Sequence, residues 1–219
     1  MRLEIGIRVR CTDAVYGELA DIVIDPLEKR VTHLVVRPEQ GEGEGRLVPI
    51  RLAKGGDGEQ REIELDCTLD DAQAFESVHE RAYLRLGERP AEDPDWDIGV
   101  EDVLAMPYYA GPDVGPYPGQ LDSHVTMYYD RVPKGEVEVR RASAVVSSDG
   151  HSLGEVDGFV VDADEHITHF VLERGHLWGR KEVTIPIGAV AKVESDAVYV
   201  ALSKDEVGDL PAVRVGRHG

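Results

Sequence analysis

The sequence predicts a mainly β fold with two tandem small β-barrels, each closed by a short helix and joined by a connector rich in proline and tyrosine. An internal repeat, short runs of alternating apolar residues and an aromatic content of 6% support this prediction. Glycine, aspartate and proline positions recur 137 residues later, as Gly17 and Gly154, Asp25 and Asp162, and Pro49 and Pro186. A duplication of this size implies two similar small cores.

The strands follow from apolar alternation bounded by turn residues. In the first copy we expect them at residues 5–9, 17–25, 31–37, 46–50 and 62–66. Pro49 should lie at an edge or bulge, because proline cannot donate a hydrogen bond to a strand ladder. The second copy shows the same order at residues 137–146, 154–161, 167–173, 182–187 and 197–202.

Each copy ends in a helix-capping pattern, a hydroxyl residue followed three positions later by a carboxylate. Thr68 and Asp71 form the first pattern, and Ser203 and Glu206 form the second. Apolar residues at spacings of three and four then predict that the first helix spans residues 70–86 and packs on the first barrel.

These patterns divide the chain into four parts. Residues 1–86 form the first barrel with its helix, 87–135 an acidic connector, 136–212 the second barrel and 213–219 a tail. Prolines in the connector prevent long regular elements. Its large aromatic side chains favour a segment packed across both barrels, and a partly mobile segment that holds a partner is the alternative.

Composition limits the function and the location. The formal net charge of −19 argues against direct binding to nucleic acid or to anionic membrane surfaces. No run approaches the roughly 20 apolar residues that cross a bilayer, and the N-terminus lacks the apolar segment of a signal peptide. We therefore expect a cytoplasmic protein without membrane insertion. Cys11 and Cys67 are expected to be free thiols, with a disulfide within the first copy as the alternative.

The second copy resembles the PRC-barrel family. The resemblance rests on the Asp149-Gly150 turn, on Gly154 before a long strand that Asp162 closes, on a Thr168-His169 strand and on an Ile185-Pro186 strand. The first copy is similar but looser, because residues 13–17 replace the Asp-Gly turn and are one residue shorter. Together the two copies cover roughly two thirds of the chain.

The resemblance implies a contact module. PRC barrels occur in the cytoplasmic part of the photosynthetic reaction-centre H subunit and in RimM-type ribosome maturation factors, where they contact other proteins. It implies a non-enzymatic protein-binding or scaffold module, with no cofactor and no catalytic residue. The acidic charge predicts that the partner protein is basic. Edge strands could also pair two chains into a homodimer.

Large aromatic side chains are the candidate partner contacts, because such residues contribute disproportionately to interfaces. They are Trp96, Tyr108, Tyr109, Tyr117, Tyr128, Tyr129 and Trp178. The alternative function is a small-ligand or metal-binding sensor, or an enzyme, that uses the crevice between the barrels. There Tyr128, Tyr129, His176 and Trp178 could converge.

Other motifs favour structural roles. Residues 150–154 fit the G-x-S-x-G nucleophile motif, but a strand is predicted after Ser152, where the motif requires a helix. His33 and His169 occupy matching strand positions and are expected to support the fold. Residues 162–165 lack the glycine and distal glutamate of a calcium loop. We expect no metal; the one competing hypothesis is a weak surface site, formed by Asp164, His166, His169 and His176.

Overall fold

The structure is a computed structural model, and it describes residues 1–39, 44–55, 62–85, 93–102, 124–140, 143–174, 181–194, 196–210 and 212–213. Within these ranges the chain is mainly β. The first half contains β1 (Arg2–Glu4), β2 (Arg8–Arg10), β3 (Val15–Asp25), β4 (Arg30–Pro38), β5 (Arg46–Pro49), β6 (Ala53–Gly55), β7 (Glu62–Leu65) and α1 (Leu69–Gln73).

The middle and second half continue with further strands and a second short helix. These are β8 (His79–Arg85), β9 (Trp96–Asp102), β10 (His124–Pro133), β11 (Val137–Arg140), β12 (Ala144–Val146), β13 (Ser152–Val161), β14 (Ile167–Arg174), β15 (Lys181–Pro186), β16 (Val190–Val193), β17 (Ala197–Val200), α2 (Lys204–Asp209) and β18 (Ala212–Val213). The described helices are too short and too polar to cross a membrane.

Two of the sheets have the same strand order, apart from β18, which extends one edge of the second sheet. In the first sheet the order is β5-β4-β3-β2-β7-β6, and in the second it is β18-β15-β14-β13-β12-β17-β16. In both, the pairing between the early short strand and the late one is parallel, β2 with β7 and β12 with β17. The internal repeat of the sequence is therefore matched by a repeat of topology.

The two sheets exchange their leading strands. β1, at the start of the chain, pairs with β13 of the second sheet, so that Leu3 lies opposite Phe159. β11, which precedes the second copy, pairs with β3 of the first sheet, so that Val139 lies opposite Ile22. The predicted strand 137–146 is thus broken into β11 and β12, and β11 crosses to the first sheet. The predicted strand 5–9 is present only in part, because β2 begins at Arg8 and the crossing strand β1 lies before it, at Arg2–Glu4.

A pair of turns also joins the two copies. The β3–β4 turn and the β13–β14 turn meet, with the Val31 amide donating to the Glu165 carbonyl at 3.2 Å and the Ile167 amide donating to the Lys29 carbonyl at 2.9 Å. Lys29 and Glu165 are both in the left-handed region, with φ values of 55° and 68°. These reciprocal bonds, together with the exchanged strands, give the two copies a single continuous apolar core.

Two glycines fix the start of the long strands. A Cβ atom on Gly17 would lie 1.9 Å from the Arg37 carbonyl oxygen, and one on Gly154 would lie 2.2 Å from the Glu173 carbonyl oxygen. Only glycine permits this approach of neighbouring backbones. The repeated glycine therefore marks the site where β3 and β13 press against the strands that follow them.

The predicted helix over residues 70–86 is wrong. The capping boxes are present at Thr68 and at Ser203 and begin both helices, but α1 ends at Gln73. Residues 79–85 form β8, which pairs with β10 in a sheet of three strands ordered β8-β10-β9. Pairing with a strand more than 40 residues later overrides the local helical spacing. Two of the three strands, β9 and β10, lie in the range predicted as the connector.

This three-stranded sheet covers the outer face of the first sheet. Val78, Val132 and the partly buried Trp96 pack against Ala20, Val23, Val35 and Leu47, forming a small second core. The part of the outer face that it covers is therefore apolar, whereas Glu18 and Arg37 on the same face are exposed.

The exchange of strands leads to a reciprocal stability test. Leu3 is fully buried in the continuous core, and Leu3→Ala should lower the free energy of unfolding by about 2–4 kcal/mol. The local effect should appear far away in the sequence: amides of β13 at residues 158–160 should exchange hydrogen faster, because they pair with β1. Val139→Ala should instead speed exchange in β3 at residues 21–24. Hydrogen exchange with mass spectrometry measures both, and faster exchange in the sheet nearer in sequence would contradict the pairing.

Candidate functional site

The predicted aromatic contacts fall mostly outside the part that the structure describes. Trp96 begins β9, is partly buried against the small second core, and has the Arg131 guanidinium 4.4 Å from its ring centroid. Tyr128 and Tyr129 lie on β10, opposite Asp102 and Glu101 of β9, but their side chains are outside the description. Tyr108, Tyr109, Tyr117 and Trp178 lie outside the described residues, as does His176. Their roles as contacts stay predictions.

The outer face of the second sheet carries a ladder of carboxylates. Glu155 on β13 lies directly opposite Glu173 on β14, and Glu173 lies directly opposite Glu182 on β15. Their neighbours Val156 and Leu172 are buried in the continuous core, so the glutamates face away from it. Like charges directly opposite one another destabilise a sheet. The carboxylate ladder, Glu155, Glu173 and Glu182, is therefore costly for folding.

Further charged groups surround the carboxylate ladder. The Arg2 guanidinium pairs with Glu182, and its Nε lies 2.8 Å from the Glu4 carboxylate. Asp157, half-buried beside them, has its pKa raised to about 6, first by burial and then by Glu182, Glu173 and Glu4. Glu182, Glu173 and Glu4 therefore act on the half-buried Asp157, and the charge of Arg2 offsets part of their effect on its pKa.

The first sheet has a different chemistry at the same register. There Glu18 lies opposite Arg37, and the two side chains approach to 3.9 Å. In the first sheet the position that corresponds to Glu182 is Gly45, just before β5. A Cβ atom on Gly45 would lie 2.7 Å from the Val35 side chain. A complementary pair in one copy has thus become a row of like charges in the other.

The aligned repeats of the sequence contain the charge change that creates this row of carboxylates. Aligning the repeats places Glu155 at the position of Glu18 and Glu173 at the position of Arg37. The change from arginine to glutamate is visible in the sequence, but its meaning requires the strand register. Single carboxylates on separate strands look like ordinary solvated charges until pairing brings them into a row.

A second charged cluster lies between the first sheet and the three-stranded sheet. Asp130, almost fully buried on β10, pairs with the Arg140 guanidinium and lies 3.6 Å from His79 Nε2. Glu138 on β11 is 1% exposed, and its Oε2 has no hydrogen-bond donor within the described residues. The nearest cation is Arg140, whose Nε lies 3.9 Å away.

Burial dominates the electrostatics of this cluster. Burial, followed by the charge of Asp21, raises the pKa of Glu138 to about 8. Burial also lowers the pKa of His79, followed by the charge of Arg140. At neutral pH the cluster therefore holds a neutral imidazole and a Glu138 carboxyl that retains its proton, beside the Asp130–Arg140 pair.

A strand follows the serine of the predicted nucleophile motif, as the sequence indicated. Ser152 is exposed and begins β13, so no helix follows it. Without the strand–turn–helix geometry, the motif has no support as a nucleophile.

The matching histidines occupy matching places in the two sheets. His33 pairs in register with Val23 and Pro49, and His169 pairs with Val160 and Pro186. The His33 ring lies 3.4 Å from Glu136, whereas His169 Nδ1 lies 3.2 Å from the Thr168 hydroxyl. Both rings therefore face side-chain oxygens.

The acidic turns bind their own backbone. Asp162 Oδ1 accepts hydrogen bonds from the amides of Asp164 and His166, both at 2.9 Å. Asp25 Oδ1 accepts from the amides of Leu27 and Glu28 in the matching turn. Within the described ranges, no group of three or more histidine, cysteine or carboxylate side chains has metal-site geometry.

The two cysteines are free thiols that lie side by side. Their side chains share a hydrogen bond, and burial, followed by the charge and hydrogen bond of Cys67, raises the pKa of Cys11 to about 12. Such a protonated, buried thiol is a poor nucleophile.

The buried Glu138 predicts a pH effect on stability. Its folded-state pKa of about 8 exceeds the value of 4.5 expected when exposed. Its contribution to stability is therefore present below about pH 4.5 and is lost as the pH rises to about 8. Glu138→Gln should flatten this part of the profile and stabilise the fold at pH 8 by roughly 2–4 kcal/mol. Denaturant unfolding across this pH range, with exposed Glu64→Gln as the control, measures the difference; parallel profiles for the two variants would contradict it.

Comparisons with known proteins bear on the second half of the chain. No curated protein matches the sequence. A protein-family model does match: residues 141–207, which contain β12 to β17 and most of α2, match the PRC-barrel domain.

Proposed function

We propose that this chain is a non-enzymatic protein-binding module made of two tandem PRC-type β-barrels, and that the carboxylate ladder is where a basic partner protein binds. The partner's lysine and arginine side chains would lie across Glu155 and Glu173, beside the buried Glu182, which pairs with Arg2. The free thiols suit a reducing, cytoplasmic setting.

The single observation that carries this proposal is the row of like charges in register. Like charges directly opposite one another destabilise a sheet, so the exposed Glu155 and the partly exposed Glu173 repel one another in the isolated fold. A cationic partner would instead attract both carboxylates. Interfaces of complementary charge gain in association rate and in partner choice.

The proposal that both halves are PRC-type barrels rests on their common construction. The family match covers residues 141–207. The first sheet repeats the strand order, the parallel pairing, the capped helix and the crowded glycine of the matched half. These features support a second barrel of the same type in residues 1–86.

The difference between the copies supports different roles for the two sheets. The apolar part of the outer face of the first sheet lies under the three-stranded sheet, and the exposed charges next to it, Glu18 and Arg37, form a complementary pair. The matching face of the second sheet carries Glu155, which is exposed, and Glu173, which is partly exposed. We therefore place partner binding on the second sheet and assign the first sheet a supporting role.

A substitution that copies the charge pair of the first sheet tests the site. Glu173→Arg recreates the Glu18–Arg37 pair at the matching position of the second sheet. It should stabilise the fold slightly, because it removes repulsion, and it should weaken partner binding at least tenfold. The experiment is affinity capture from the native host at low salt, followed by measurement of the Kd of the purified pair at increasing ionic strength.

Asp209→Arg is the matched control, because it makes the same change of charge at an exposed helix end outside the carboxylate ladder. The control should retain the partner, and affinity should fall steeply with salt. Equal binding by both variants would place the contact elsewhere. A captured partner that is not basic, or binding that resists salt, would refute the electrostatic mechanism.

A further inference from the structure

The edge strand β18 lies beside the carboxylate ladder, with Val213 opposite Glu182 of β15. The six residues that follow in the sequence, 214–219, contain two arginines and a histidine and no acidic residue, in a chain with a net charge of −19. We call residues 214–219 the basic segment, and they lie outside the described residues. A run of cations thus follows the strand that flanks a row of carboxylates.

In the first copy, the chain continues from the matching position onto the outer face of its own sheet. The Val78 amide donates to the Gly45 carbonyl at 3.0 Å, and Gly45 corresponds to Glu182. Val78 therefore occupies the place that Val213 has in the second sheet. Val78 packs on the outer face of the first sheet, and β8 begins at the next residue and belongs to the sheet that covers part of this face.

The residue under this cover differs in chemistry between the two copies. In the first copy it is Ala20, which belongs to the same small apolar core as Val78 and the partly buried Trp96. The corresponding residue of the second copy is Asp157, and both residues lie at the same bulge of the long strand. The first copy thus combines an apolar face with an apolar cover, and the second combines an acidic face with a basic segment.

Within the described residues, Asp157 and Glu155 are carboxylates without an ion-pair partner. Arg2 is close enough to lower the pKa of Asp157, but its guanidinium pairs with Glu4 and Glu182. Glu155 is exposed, and Asp157 is half-buried, with its pKa raised to about 6 by burial and by neighbouring carboxylates. A cation beside the two carboxylates would offset this repulsion.

The basic segment is long enough to reach these carboxylates. Strands β15 and β14 lie between β18 and β13, so that three strand spacings, about 14 Å in total, separate β18 from β13. Arg217 is four residues beyond Val213, and four extended residues span about 13–14 Å. The length of its own side chain then brings the Arg217 guanidinium within reach of β13.

We propose that the basic segment binds across the outer face of the second sheet, with the Arg217 guanidinium at Glu155 and Asp157, and that it competes there with the basic partner. The competition rests on the proposed function, because the partner binds the same face. A segment tethered beside its site has an effective concentration on the order of millimolar. The basic segment therefore excludes weakly cationic proteins and leaves the face to a partner that carries several lysines or arginines.

Zero-length cross-linking of the full-length protein tests the contact without any partner. Arg217→Lys keeps the positive charge and supplies a primary amine, which a carbodiimide joins to a contacting carboxylate as an amide, taking up the released water as a urea. Mass spectrometry of the monomer band should find this amine joined to the peptide that contains Glu155 and Asp157. High salt should lower the yield at least fivefold, because it screens exposed ion pairs.

Arg10→Lys is the matched control, because Arg10 is an exposed arginine on β2 of the first sheet. Its new amine should not join to Glu155 or Asp157. The intrachain contact would be overturned if Arg217→Lys gave no cross-link, a cross-link to a different part of the chain, or a cross-link only in the dimer band, which would place the basic segment on a second copy.

The affinity for the captured partner tests the competition. Removing both arginines in Arg214→Ala/Arg217→Ala should lower the Kd at least threefold, because the partner no longer has to displace the basic segment. Arg8→Ala/Arg10→Ala makes the same change of net charge at exposed positions of the first sheet and should change the Kd less than twofold. Equal Kd values for the two double variants would overturn the competition.

The two measurements separate a failure of this inference from a failure of the proposed function. If Glu173→Arg weakens partner binding but no cross-link forms from residue 217, the partner site stands and the contact of the basic segment is overturned. If the cross-link forms but Glu173→Arg binds the partner as before, the contact is upheld. In that case the proposed function is overturned, and the competition with it.

Discussion

The exchange of leading strands is the constraint on which the rest of this structure depends. β1 completes the second sheet and β11 completes the first, so neither copy has its own full set of strands. The apolar residues of both copies consequently pack as one core. Whatever surface one copy presents is held in place by residues from the other, as Arg2 beside Glu182 illustrates.

Within this shared frame the two copies have diverged on their outer faces. Part of the first face is apolar and carries an added sheet, and a charged cavity lies at the edge of that contact. The second face has glutamates in register. Duplication preserved the buried alternation and the glycines that crowd the backbone, and left the outward positions free to differ. We therefore place the candidate functional surfaces at the outward positions where the two copies differ.

Much of this fold could be predicted from the sequence, because its strongest signals are local. Alternating apolar residues located most strands, and the hydroxyl–carboxylate pairs located both helix starts. The wrong prediction concerns a contact between residues that are distant in the sequence. The apolar spacing over residues 70–86 suits a helix, yet residues 79–85 pair with β10. Alternating apolar residues also do not determine which strands pair. The strand exchange and the carboxylate ladder are therefore visible only once the strand register is known.

The strand exchange also sets the order in which the chain can fold during its synthesis. β3 emerges from the ribosome early, but its partner β11 follows more than 110 residues later, and β1 must wait still longer for β13. Contacts so distant in sequence slow folding and leave strand edges open in the meantime. The nascent first half therefore has to keep one unpaired strand, β1, and one open edge of β3 from aggregating until the second half arrives.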